Sequence, residues 1–167
     1  RGLNFEKENY NAINKILKTS YNELLDRHVA DYQSLFDRLS FKLSDSTGDE
    51  FPTDVRLQKV KKGATDNYLT QLQYQFGRYL LISSSRPGTL PANLQGIWAD
   101  GFTPPWNSDY HININIQMNY WMAEMTNLAE CHEPFLEFVD SLREMGRITA
   151  KKTYNSRGFV AHHTSSI

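Results

Sequence analysis

Asp66-Asn67-Tyr68-Leu69-Thr70-Gln71-Leu72-Gln73-Tyr74-Gln75-Phe76-Gly77-Arg78-Tyr79-Leu80-Leu81 is the stretch on which the fold reading turns. Asp66 has the short carboxylate that accepts from orphan backbone N–H groups at a helix start. Tyr68, Leu69, Leu72, Phe76, Tyr79 and Leu80 then recur at helical spacing, which predicts a capped helix burying that face. Toward the N-terminus the period continues. Ile13, Ile16 and Leu17 form one face, and Leu24, Leu25, Val29, Tyr32, Leu35, Phe36 and Leu39 another. Ser20-Tyr21-Asn22-Glu23 has the form of a capping box, so a helical lead-in over 1–19 should break there and a second helix run from about 21 to 38. Phe41 and Leu43 suggest a brief extended piece, 44–54 a turn-rich connector, and Thr53 the cap of a short helix ended by Lys61-Lys62-Gly63. Beyond the central helix, the pattern becomes helical again from about Ile116 to Met125. It resumes at Glu133-Pro134, where proline is tolerated in a first turn and Phe135, Phe138, Val139 and Leu142 share a face. Gly146 should kink or divide that helix before Ile148 to Tyr154. The fold class is all-α.

The chain of 167 residues is long enough for one domain with a real core. Eighteen basic against nineteen acidic residues leave a net charge of −1, so no electrostatic footprint favours nucleic acid. No apolar run reaches the ~18 residues of a membrane span. The single cysteine, Cys131, excludes an internal disulfide framework. The opening Arg1-Gly2-Leu3, without an initiator methionine, reads as an excised piece of a longer protein. Aromatics make up 13% of the chain, and both core packing and a stacking platform for sugar rings account for that figure.

From Ser83 to Tyr110 the helical pattern stops. Ser83-Ser84-Ser85-Arg86-Pro87-Gly88 and Thr103-Pro104-Pro105-Trp106-Asn107 are punctuated by proline and glycine. A loop of this length, around residues 83–111, is too long for mere connection and reads as functional. Its Leu90, Leu94, Ile97, Trp98, Phe102 and Trp106 need burial or a ligand. Directly after it, His111-Ile112-Asn113-Ile114-Asn115-Ile116-Gln117-Met118-Asn119 alternates polar and apolar residues. If extended, this segment presents imidazole and carboxamide groups on one face, with Ile112, Ile114 and Ile116 packed behind. Uncharged amides that both donate and accept suit sugar hydroxyls or an ordered water, while a half-buried strand with a solvated face is the plainer account.

Glycoside hydrolysis calls for two carboxyl groups, and Asp100, Asp109, Glu124, Glu130 and Glu133 lie near the loop without one standing out. Glu130 and Glu133 read as helix-end residues. Cys131-His132 and His162-His163 are neighbours in sequence rather than ligands at metal spacing, so no metal and no cofactor is implied. Phosphate loops, nucleophile elbows and dinucleotide fingerprints are absent from the sequence.

Taken whole, Gly77 to Trp98, with Ser83-Ser84-Ser85-Arg86-Pro87-Gly88-Thr89-Leu90-Pro91-Ala92-Asn93-Leu94-Gln95-Gly96 at its centre, resembles the signature of glycoside hydrolase family 95. Pro105-Trp106-Asn107-Ser108-Asp109-Tyr110-His111 through Trp121, then Asn127-Leu128-Ala129-Glu130-Cys131-His132-Glu133-Pro134 and Gly158-Phe159-Val160-Ala161-His162-His163, continue the likeness. The resemblance covers roughly residues 20 to 163. It implies the N-terminal portion of an (α/α)₆-barrel catalytic domain, about half of the ring's helices, with an open apolar edge. It further implies an inverting α-L-fucosidase acting on terminal α-1,2-linked L-fucose of oligosaccharides or glycoconjugates. Asn113 and Asn115 would position the attacking water, and His111 would lie at the sugar's edge. Trp98 and Trp106, from their places in the loop, are candidate pocket walls. The family's acid and base carboxylates fall beyond Ile167, so the chain alone should be inactive and should depend on the remainder of the barrel. After His163 the family tends to read Asn-Thr-Asp, whereas this chain reads Thr164-Ser165-Ser166. An extracytoplasmic location also follows from the resemblance. The alternatives are an α-L-galactosidase of the same family, whose substrate differs by a C6 hydroxyl, and a non-catalytic helical carbohydrate-binding or scaffold module.

Overall fold

A computed structural model describes residues 4–45 and 51–165, so 46–50 of the 44–54 connector lie outside the described residues. The chain divides into two compact units, one ending at Arg38 and one beginning at Leu39. The first holds α1 (Phe5–Ile16) and α2 (Tyr21–Phe36). Asn4 caps α1 by accepting from Lys7 N at 3.0 Å, and Ser20 caps α2 by accepting from Glu23 N at 3.2 Å. The helix break expected at Ser20 is therefore observed. Tyr32 and Phe36, one turn apart, stack with centroids 5.0 Å apart.

The second unit contains α3 (Thr53–Lys61), α4 (Asn67–Ser84), α5 (Asn115–Tyr120), α6 (Glu133–Ser141) and α7 (Arg143–Tyr154). Strands are limited, among the described residues, to an antiparallel pair of two-residue pieces, β1 (Tyr110–His111) and β2 (Thr164–Ser165). The helical class holds, as does the long irregular loop between α4 and β1. Asp66 does cap α4, accepting from Leu69 N at 2.8 Å. Thr53 does not cap α3: it is the first helical residue, and Pro52 precedes it without a side-chain bond.

The face of α4 is the largest correction within the fold. Leu72, Phe76 and Tyr79 are exposed, and Arg78, Leu81, Ile82 and Ser84 are buried instead. Periodicity assigned the apolar residues to the core and passed over an arginine. Yet Arg78 is fully buried, its Nη1 donating to Leu39 O at 3.1 Å and to Gln75 Oε1 at 3.0 Å. A buried guanidinium is tolerated when such acceptors surround it. Arg56 repeats the device: it donates to Asp66 Oδ1 and Oδ2 at 2.9 and 2.8 Å and to Phe51 O at 3.0 Å.

Two further boundaries differ from the sequence reading. Helix α5 stops at Tyr120, and residues 121–127 form turns rather than carrying the helix to Met125. Gly146 does not divide a helix, because α6 hands over to α7 at Leu142 and Gly146 lies buried inside α7. Apolar side chains left open in this unit include Phe76, Met118, Trp121 and Met125.

Candidate functional site

The loop after α4 begins at a buried hydroxyl. Ser85, fully buried, gives its single proton to Cys131 O at 2.7 Å. Its contact with Tyr120 Oη, also 2.7 Å, must then run with the tyrosine donating. Tyr120 Oη in turn accepts from Ala92 N at 2.8 Å, so one phenol ties the start of the loop to its midpoint. Tyr110 Oη adds a second tie by donating to Pro91 O at 3.0 Å. Burial pushes both phenols above their ordinary acidity range, although the bonds from Ser85 and Ala92 partly oppose that shift at Tyr120. Behind Tyr120 its ring stacks with Phe135 and His132, and His132 Nδ1 meets Glu124 Oε1 at 2.5 Å. That bond holds the Glu124 carboxyl below its usual value.

From this root the chain makes a tight turn at Asn93–Trp98. Asn93 and Gly96 exchange backbone bonds at 3.1 and 3.0 Å, and Asn93 Oδ1 accepts from Gln95 N at 2.8 Å. Gly96 has φ +69°, and a Cβ there would stand 2.8 Å from the Trp98 ring. Glycine therefore permits both the backbone turn and the close seat of the indole. Trp98 helps line a cleft of about 430 Å³, together with Gly77, Leu80 and Ser84 of α4 and Met118 and Met122 beyond. Asn119 Nδ2, donating to Asn93 O at 3.1 Å, joins α5 to this turn.

Trp106, Asn107 and Ser108 follow with φ of 49°, 54° and 53°. Non-glycine residues in the left-handed region cost roughly 1–2 kcal/mol each, so three in succession need support. Support comes from Asp109 N to Trp106 O at 3.0 Å and from Ser108 Oγ to Gln95 Oε1 at 2.6 Å. The turn leaves Trp106 71% exposed, against 42% for Trp98, and Trp106 is not among the side chains that line the Trp98 cleft.

The polar stretch after the loop departs from the extended reading. Only His111 is in a strand, residues 112–114 turn, and Asn115 opens α5. Asn113 and Asn115 are therefore not successive side chains on one face of a strand. Ile116 is buried behind them, but Ile114 is 43% exposed, so the isoleucine backing is incomplete. Alternation misled because a turn leading into a short helix can show the same polar–apolar order as a strand. Both asparagines are exposed, and His111 is half-buried. Gln117 braces the turn by donating from Nε2 to Ile112 O at 2.7 Å. Helical spacing sets Asn115 on the same side as Met118 and Asn119, beside the cleft that Trp98 lines.

Pattern reading missed the supports of the site: Ser85, Tyr120, Gln117 and the left-handed turn. No short-range signal marks a hydroxyl that closes across the fold. It also missed that the tail returns to the site. Thr164 and Ser165 pair with His111 and Tyr110, and Ile112 N donates to His163 O at 2.8 Å. Among the described residues, no three His, Cys, Asp or Glu side chains gather as metal ligands, and no helix is long and apolar enough to cross a membrane.

Residues 20–167 match the glycosyl hydrolase family 95 catalytic domain. Alpha-L-fucosidase 2 of Arabidopsis thaliana is 46% identical over 165 residues, which cover 96% of this chain and 20% of that protein. Probable alpha-fucosidase A of Aspergillus niger is 41% identical over 87% of this chain and 18% of its own length. Its counterpart in Aspergillus oryzae is 37% identical over 90% and 21%. The chain thus spans about a fifth of the length of these curated relatives.

Proposed function

The chain belongs to glycosyl hydrolase family 95, and on that premise we propose that it forms the N-terminal portion of the (α/α)₆-barrel catalytic domain of a longer inverting α-L-fucosidase. The substrate in this reading is terminal α-1,2-linked L-fucose on an oligosaccharide or glycoconjugate. Asn113 and Asn115 hold the attacking water. A carboxamide takes no proton near neutral pH, so the base is a carboxylate from the rest of the longer protein, and so is the acid that protonates the leaving oxygen. The amide oxygens accept from the water and keep a lone pair aimed at the anomeric carbon. His111 borders the sugar, Trp98 walls the pocket, and Trp106 meets the substrate from its rim.

The observation that carries this reading is the presentation of the two amides. They are exposed on a turn and helix start braced by Gln117 and by buried Ile116, and helical spacing sets Asn115 on the side of α5 that carries Met118 and Asn119 of the Trp98 cleft. Time-resolved NMR of an α-1,2-fucosylated oligosaccharide with the full-length protein tests it. β-L-Fucose should appear first. Initial release of the α anomer would remove the inverting assignment, and absence of fucose release would remove the substrate. The 167-residue chain alone should give no measurable turnover, because general acid and base groups contribute typically ~10²–10⁴-fold each.

A further inference from the structure

The segment from Phe159 to Ser165 is set in place by its main chain. Val160 N donates to Gly146 O at 3.0 Å, and a Cβ on Gly146 would stand 3.0 Å from Val160 O. Four residues later, β2 pairs with β1, and His163 O accepts from Ile112 N at 2.8 Å. This path brings the rings of His163 and His111 to 6.3 Å between centroids, tilted by 59°. The preceding histidine is occupied elsewhere: His162 Nε2 lies 3.3 Å from Tyr154 Oη on α7. His163 is exposed, and its aromatic neighbour is the imidazole already assigned to the sugar's edge.

We propose that His163 is a second sugar-binding imidazole, acting with His111 on neighbouring hydroxyls of the terminal sugar; this rests on the α-L-fucosidase reading above. A neutral imidazole offers one N–H donor and one acceptor nitrogen. Two tilted rings side by side therefore present two of each, which complements an adjacent pair of hydroxyls that each donate and accept. The backbone of residue 163 is bonded through its carbonyl, so the ring is free to serve a ligand without supporting the strand pair. That separation is what makes the assignment testable.

The experiment uses the full-length protein with α-L-fucosides and α-L-galactosides, measuring kcat, KM and melting temperature. His163→Ala should raise KM roughly three- to tenfold, the loss of about one net hydrogen bond. Its melting temperature should stay at that of wild type. His163→Gln should recover part of the affinity, since a carboxamide keeps one donor and one acceptor. The double variant His111→Ala/His163→Ala should lose less than the product of the single effects, as expected for groups sharing one ligand. Wild-type KM and kcat in His163→Ala would overturn the assignment. So would a KM change that appears only together with a lowered melting temperature, because the role would then be structural. If wild type turned over neither glycoside, the fucosidase reading would fail first and take this one with it.

Discussion

The two ends of the long loop obey different physics. At its root, Ser85, Pro91 and Ala92 are buried, and their polar atoms close on Tyr120, Tyr110 and Cys131. At its crest, Ile97, Phe102 and Trp106 are 62%, 105% and 71% exposed, and the chain adopts left-handed geometry without glycine. Unmet buried polar groups are costly, so the root is fixed by its own hydrogen bonds. Exposed aromatics and strained turns cost the fold more than they return to it, and such features concentrate where a chain meets a ligand or a partner. On the function proposed above, the contrast separates residues that hold the site from residues offered to the substrate, and substitutions on the two sides should fail differently.

The largest effect should come from the two asparagines proposed to hold the water. Asn113→Gly or Asn115→Gly in the full-length protein should lower kcat by roughly 10²-fold or more, as loss of near-attack positioning does. KM should move far less, and melting should barely change, because both side chains are exposed. Steady-state kinetics with near-wild-type kcat in both variants would make the amides structural.

Tyr120→Phe tests the root. The ring and its stacking on Phe135 and His132 survive, but the buried Ala92 N–H loses its acceptor and Ser85 Oγ its donor. Leaving such a group unsatisfied costs about 1–3 kcal/mol. The melting temperature should fall while kcat drops less than in the asparagine variants. An equal collapse of kcat would mean that the root positions the reacting groups as well, and the contrast would dissolve.

How much of this was legible beforehand follows the same division. The caps at Ser20 and Asp66 could be read because they depend on residues three apart in sequence. The proline entry to α6 was equally local. The buried face of α4 could not be read, since Arg78 is buried by virtue of acceptors at Leu39 and Gln75 rather than by its own hydropathy. The site residues came from family resemblance, and their local geometry was misjudged. His111, Asn113 and Asn115 follow the alternation of a strand, yet they lie on a strand, a turn and a helix start in succession. Pairing of β1 with β2 is a contact between distant segments that no window of sequence contains.

A smaller and pH-dependent effect should sharpen the picture at the start of α4. The Leu69 N–H, and after it the Arg56 guanidinium, hold the Asp66 carboxyl below its ordinary value of 3.8. A depressed folded-state value means the ionised form favours folding. That stability is fully present above the ordinary value and is lost as pH falls through the lower, folded one. Asp66→Asn keeps a capping oxygen, and Arg56 keeps the Phe51 carbonyl, so the loss should be moderate at neutral pH. Wild type and variant should converge only as pH falls below that lowered folded-state value. Parallel melting curves across the acid range would show that the carboxylate carries no linked stability.

The smallest effect should come from Gly146→Ala, where two terms of similar size oppose each other. Within α7, alanine gains about 1 kcal/mol over glycine, chiefly by restricting the unfolded chain. Against that, the new Cβ would lie 3.0 Å from Val160 O and 3.1 Å from Phe159 Cβ. The first contact is backbone, and it belongs to the residue whose N–H donates to Gly146 O. Relieving the clash therefore means moving the tail away from α7, not rotating a side chain. Overpacking of this kind costs typically about 1–3 kcal/mol, so the sum should lie between no change and a net loss of about 2 kcal/mol. The informative measurement is local. Hydrogen exchange at Val160 N–H should accelerate in the variant, and so should exchange at Ile112 N–H, because His163 O is carried on the same tail. Unchanged exchange at Ile112 with faster exchange at Val160 would mean that β2 holds to β1 independently of α7. The strand pair alone would then be enough to keep His163 beside His111.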